Sequence, residues 1–179
     1  MRILIFIFLT QISLKAIGQR IDLRNDSLFI DAYYVDGSTK ISTLDSLMKL
    51  TCKIKKGNDN HKAGGSEKTA WKRYIYRSKG LIFTKNESDT TQLSIAIKIQ
   101  RNSNQEVDQN NMPTKVFAGS LFIGGNYMND KRQVEQLKKL DDCIMTYNKV
   151  FMSVIVYQQR QIRVLFDFMT HEVTCIFIN

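Results

Sequence analysis

Apolar and polar positions alternate with two different periods along this chain, and the periods predict its elements. Leu93, Ile95, Ile97 and Ile99 are interleaved with Ser94, Ala96, Lys98 and Gln100, the two-residue period of a strand with one dry and one wet face. Residues 27–35 are rich in strand formers and end on the turn pair Asp36-Gly37. Residues 70–77 and 81–85 flank Ser78-Lys79-Gly80, which predicts a hairpin with a short glycine-containing connection. Residues 116–123 form a further strand carrying Gly119 and stop at Gly124-Gly125. Three more apolar stretches, 151–157, 162–168 and 173–178, are separated by connections short enough for hairpins.

Two stretches have helical spacing instead. Leu44, Leu47 and Met48 fall at i, i+3 and i+4, with Ser42 placed as N-cap and Asp45 in the first turn. Asp130 and Gln133 form a capping box ahead of the stripe Val134, Leu137 and Leu140. Residues 53–68 have loop composition, with Gly57-Asn58-Asp59-Asn60 and Gly64-Gly65-Ser66. Residues 101–114 are polar, contain the single proline, Pro113, and predict a long surface loop. Tight turns join neighbours antiparallel, because a parallel pair needs a crossover of a dozen residues or more. The expected fold is therefore α+β, an antiparallel sheet of about seven strands with two short helices packed on it.

The first eighteen residues predict a cleavable export signal. Met1-Arg2 is a short positive start, residues 3–9 are unbroken apolar sequence, and Ala16-Ile17-Gly18 offers small residues before Gln19. The apolar run is too short to span hydrocarbon, so the mature chain is expected to lack a transmembrane anchor and to reside in the periplasm or outside the cell. Residues 19–179 then suit a single globular domain, since about 160 residues can bury a proper core. Export permits one disulfide among Cys52, Cys143 and Cys175, and the spacing leaves all three pairings open. Cys175, between Val173 and Phe177 on one strand face, reads most simply as a small buried hydrophobe.

Charge changes the picture in one place. Residues 53–85 hold ten basic side chains against Asp59 and Glu67, a local net of +8. Residues 19–179 as a whole carry 24 basic and 17 acidic groups, so everything outside this stretch sums to about neutrality. The cations most suited to binding are Lys55, Lys56, Lys72, Arg73, Arg77 and Lys79, with Trp71 as an aromatic among them. Such a surface attracts an acidic protein or another anionic component of the envelope. A solvated basic face is the plain alternative. Nucleic acid is not an expected partner, because export separates the two.

Catalytic patterns are missing from the sequence. No C-x-x-C or Cys/His grouping has zinc spacing, Gly64-Gly65-Ser66-Glu67-Lys68-Thr69 lacks the phosphate-loop spacing, and there is no Gly-x-Ser-x-Gly turn. No motif implies a cofactor. His171-Glu172 with Cys175 is the only local grouping of metal-ligating types, and adjacent strand residues face opposite ways. Asp141-Asp142 reads as a solvated pair. Asn25-Asp26-Ser27 and Asn86-Glu87-Ser88 fit the glycosylation triplet, which matters only in a eukaryotic source.

Tyr74-Ile75-Tyr76, Gly80-Leu81-Ile82-Phe83, the alternating strand to Ile99 and Phe117-Ala118-Gly119-Ser120-Leu121-Phe122-Ile123 together resemble a domain of unknown function found in small exported bacterial proteins. The resemblance covers most of residues 19–179 and implies a Gram-negative source and an interaction role. It implies no activity, and the insertion at 53–68 departs from it. The expected function is a non-enzymatic binding module of the bacterial envelope, acting through residues 53–85. Two alternatives are an envelope hydrolase whose site forms only in the fold, with His61 or His171 beside a carboxylate or thiol, and a toxin-neutralising protein of the immunity type.

Overall fold

The computed structural model describes residues 19–60, 68–87, 91–99, 113, 115–128, 135–137, 139–140, 143–149, 152–167, 169–170 and 172–179, without the side chains of 58–60, 68–69 and 147–149. The export signal at 1–18, both histidines, Asp141-Asp142, almost all of the loop at 101–114 and the capping box of the second helix lie outside the described residues.

The described residues form thirteen strands in two sheets, so the α+β expectation is corrected to a mostly β architecture. In chain order the strands are β1 (Arg20–Arg24), β2 (Ser27–Ile30), β3 (Tyr33–Val35), β4 (Lys53–Asn60), β5 (Lys68–Tyr76), β6 (Leu81–Asn86), β7 (Leu93–Lys98), β8 (Ser120–Ile123), β9 (Asn126–Tyr127), β10 (Cys143–Lys149), β11 (Met152–Tyr157), β12 (Arg160–Phe166) and β13 (Val173–Ile178). One α-helix, α1 (Ile41–Met48), lies between β3 and β4; residues 135–137 are also helical.

The larger sheet runs β10-β11-β12-β13-β7-β6-β5-β4, two four-stranded meanders joined where β13 pairs β7. Every pairing in it is antiparallel, as tight turns require. The smaller sheet runs β3-β2-β1-β8-β9, and its β1–β8 pair is parallel. Nearly a hundred residues separate those two strands, long enough for a crossover of the kind a hairpin excludes.

Several segments were harder to read from local pattern. The stretch 27–35 is two strands, because Asp31 and Ala32 take φ of 49° and 69° and turn the chain back on itself. Asn25 and Asp26, at φ 46° and 60°, make the same kind of turn between β1 and β2. Paired left-handed residues match the twist of hairpin strands, and Asn and Asp tolerate them best. The loop expected at 53–68 begins instead as β4, an edge strand whose only aliphatic side chain is Ile54.

α1 keeps its predicted stripe, with Leu44 and Met48 fully buried. Its first residue is Ile41, so Ser42 is not the cap; Lys40 holds that position without a side-chain hydrogen bond. Asp45 has other work. Its Oδ1 accepts from the Tyr76 hydroxyl at 2.7 Å and from the Cys52 backbone N–H at 3.0 Å, pinning the end of α1 to β5. Burial, and then this bond to a carboxylate, pushes the Tyr76 hydroxyl far above its ordinary range, so it stays a donor. Tyr76→Phe is expected to lower unfolding free energy by about 1.5–3 kcal/mol, the worth of a hydrogen bond to a charged group. Chemical denaturation with unchanged m-value checks it.

The inner faces of both sheets enter one core. Ile21, Leu23, Leu28, Ile30, Leu121 and Ile123 come from the small sheet, and Phe83, Ile95, Ile97, Ile162, Val164 and Ile176 from the large one. Arg160 ties the layers at one end: its Nε donates to Asp26 O at 3.0 Å and one terminal nitrogen to Leu93 O at 3.5 Å.

Candidate binding surfaces

The basic segment folds into one end of the large sheet, where β4, β5 and β6 pair in register. Strand pairing stacks like charges. Lys56, Lys72 and Lys85 lie directly opposite one another across three strands, and Lys55 lies opposite Arg73 on the other face. Like charges so placed destabilise a sheet unless an anion offsets them. Glu87 offsets part of the lysine row: its carboxylate lies 2.7 Å from Lys72 Nζ. That contact raises the pKa of Lys72, while Lys72 first and Lys56 second lower that of Glu87. Lys85 Nζ reaches the Thr39 carbonyl at 3.4 Å.

The seven residues singled out from sequence are therefore not all together. Lys56 and Lys72 are brought together on one face of the sheet, and Lys55 and Arg73 on the other. Arg77 and Lys79 sit in a single 3-10 turn after β5, beyond the other end of the core-facing pair Tyr74 and Tyr76. Trp71 is buried, with the Arg73 guanidinium 3.9 Å from its ring centroid. It lies against Gly57 so closely that a Cβ there would be 2.8 Å from Trp71 Cη2. Trp71 thus supports the strand and orients Arg73; it is not itself an open contact residue. Lys53, Ile54, Lys55 and Lys56 are exposed on β4, which is the outer strand of the sheet. A strand in that position has main-chain groups facing outward, able to pair with another extended chain.

Cys52, Cys143 and Cys175 are free thiols. Cys175 is buried in β13 as a small hydrophobe, and burial pushes its pKa up to about 12 although Lys98 and Arg163 oppose the shift. A thiol held protonated in this way is a poor nucleophile. Among the described residues no group of three His, Cys, Asp or Glu side chains could hold a metal ion, and no helix is long and apolar enough to cross a membrane. The histidines on which the hydrolase alternative depends lie outside those residues.

A second surface escaped the sequence reading. Register places Tyr34, Phe29, Asp22, Phe122 and Tyr127 in one row across all five strands of the small sheet. This row lies on the face opposite the core, since Ile21 and Leu23 point inward. Asp22 is only 2% exposed. Arg20 and Arg24 flank it along β1, each donating to Asp22 Oδ2 at 2.9 Å. The Arg20 guanidinium also stacks over Phe122 at 4.1 Å and that of Arg24 over Phe29 at 5.1 Å. Tyr34 and Tyr127 close the ends, 5.9 Å and 5.4 Å from Phe29 and Phe122 between ring centroids, and remain half exposed. The local signal was Arg20-Ile21-Asp22-Leu23-Arg24 itself, a charged–apolar alternation with strand period. The aromatic partners come from segments scattered as far as residue 127, which no local window joins.

No family model, curated protein or solved structure matches this chain.

Proposed function

We propose that this protein is an exported, non-enzymatic binding module of the bacterial envelope that captures an acidic, extended polypeptide segment along β4. The observation that carries the reading is the Lys56–Lys72–Lys85 row with Lys55 opposite Arg73, like charges aligned across paired strands with Glu87 as the anion that offsets Lys72. An acidic strand added at β4 would bring negative charge against the Lys56–Lys72–Lys85 row, and its main chain would continue the sheet. Side chains of that strand would alternate between the lysine row and the Lys55–Arg73 pair. Long-range attraction would speed encounter, and salt would screen it over about 8 Å at physiological strength.

Titration with an extended Glu/Asp-rich peptide and capture from native envelope extract test the reading together. Affinity should fall roughly tenfold or more between low and high salt, and again in Lys56→Glu/Lys72→Glu. Glu87→Gln should act in the opposite direction and strengthen binding, because it releases Lys72. Binding that ignores salt, or that weakens in Glu87→Gln, would count against this surface.

A further inference from the structure

From the aromatic and arginine row on the small sheet we infer a second binding site, for an extended carbohydrate chain. Its outward-facing described residues are aromatic rings, two arginines, an aspartate and the serines 27 and 120, with no aliphatic side chain among them. That is the chemistry of a sugar platform. Ring faces take the C–H surface of a pyranose, and planar guanidinium and carboxylate groups pair with adjacent hydroxyls. The centre of a protein interface is ordinarily depleted of charge, whereas the middle of this row holds Asp22 between two arginines.

Two further observations point to a ligand. Asp22 has one oxygen held by both arginines, while its other oxygen, Oδ1, is buried without a hydrogen-bond partner. A buried carboxylate oxygen left unmet is costly, and a sugar hydroxyl that reached Oδ1 would satisfy it. The guanidiniums are also fixed in advance, each by a carboxylate on one side and a phenyl ring beneath, while about half of each side chain remains exposed. Fixed donors lose little freedom on binding. With strands about 4.8 Å apart, the row from Tyr34 to Tyr127 is roughly 19 Å long, a span for about four sugar rings. Asp22 cancels one of the two arginine charges, so recognition here rests on stacking and hydroxyl pairing.

Neutral hexasaccharides test this without engaging the lysine row of the large sheet. Cellohexaose, maltohexaose and chitohexaose would be titrated by NMR into the whole protein, with Tyr34→Ala/Tyr127→Ala and Lys56→Glu/Lys72→Glu as comparators. We expect at least one of the three to shift resonances of β1 and β8. Affinity should drop about three- to tenfold per tyrosine removed and stay unchanged in the lysine variant and in high salt. Tyr34 and Tyr127 are half exposed, so the tyrosine variant should melt like the parent. Asp22→Asn keeps the side-chain shape and should also weaken binding. No shift with any of the three sugars, or equal affinity in the tyrosine variant, would overturn the inference; neither result bears on acidic-peptide binding at β4.

Discussion

Gly80→Ala should cost about 3 kcal/mol or more of stability, whereas Gly125→Ala should cost only about 1 kcal/mol. Both glycines have positive φ, 70° and 80°, where a side chain is strained. They differ in what surrounds them. A Cβ at Gly80 would collide with the carbonyl oxygen of Lys115 and lie 2.6 Å from the Phe117 nitrogen and 2.8 Å from the Val116 carbonyl carbon. These are backbone atoms and cannot swing aside. Gly80 also accepts the Lys98 N–H at 3.1 Å, and Lys98 accepts that of Phe117 at 2.8 Å, so displacement would disturb the segment leading to β8. A Cβ at Gly125 meets nothing within 4 Å. Denaturant midpoints of the two variants separate the conformational penalty from the collision. Similar losses in both would mean that the approach of residues 115–117 to Gly80 is not as described.

Phe83→Ala is expected to destabilise by about 3–5 kcal/mol and Phe177→Ala by clearly less, about 1–2 kcal/mol. Phe83 is fully buried on the core face, opposite Tyr74 and Ile95 and edge-on to Tyr76 at 5.8 Å. Its removal leaves a cavity that packed neighbours only partly fill. Phe177 is opposite Ala96 and Arg163, on the other face, with the Arg163 guanidinium 5.2 Å from its ring. There the loss is a partly covered ring and a cation–π contact. Equal losses from the two substitutions would contradict the assignment of faces.

β13 explains why that assignment was not open to local reading. Val173-Thr174-Cys175-Ile176-Phe177-Ile178 is apolar at five of six positions, and four of its first five residues are buried. A strand covered on both faces has no alternation to reveal its core side. Pairing decides it: Ile176 and Ile178 align with Ile97 and Ile95, whose own alternation was plain. In β4 the difficulty was the reverse. Lys53-Ile54-Lys55-Lys56-Gly57 has the makeup of solvated loop, and edge strands carry lysines of this sort because one side remains open to water. The strands beyond those expected are β1, β3, β4, β9 and β10; β3 and β9 are very short, and β1 and β4 are rich in charged or polar residues.

The candidate surfaces divide in the same way. Ten cations within residues 53–85 were visible as a count, yet their sorting into a lysine row, an opposing Lys55–Arg73 pair and a distant Arg77–Lys79 turn needed the β4–β5–β6 register. Trp71 looked like a contact residue and is instead packed on Gly57.

Periodicity along the chain was enough to place the α1 stripe, the β5–β6 hairpin, β7 and the three closing strands, because each depends on residues within a few positions of one another. The split into two sheets, the parallel β1–β8 pair and the Tyr34–Phe29–Asp22–Phe122–Tyr127 row depend on main-chain hydrogen bonds between segments up to a hundred residues apart. A one-residue change in such a pairing would send every side chain of a strand to the opposite face. Composition does not encode that choice; burial of both inner faces in a common core makes it.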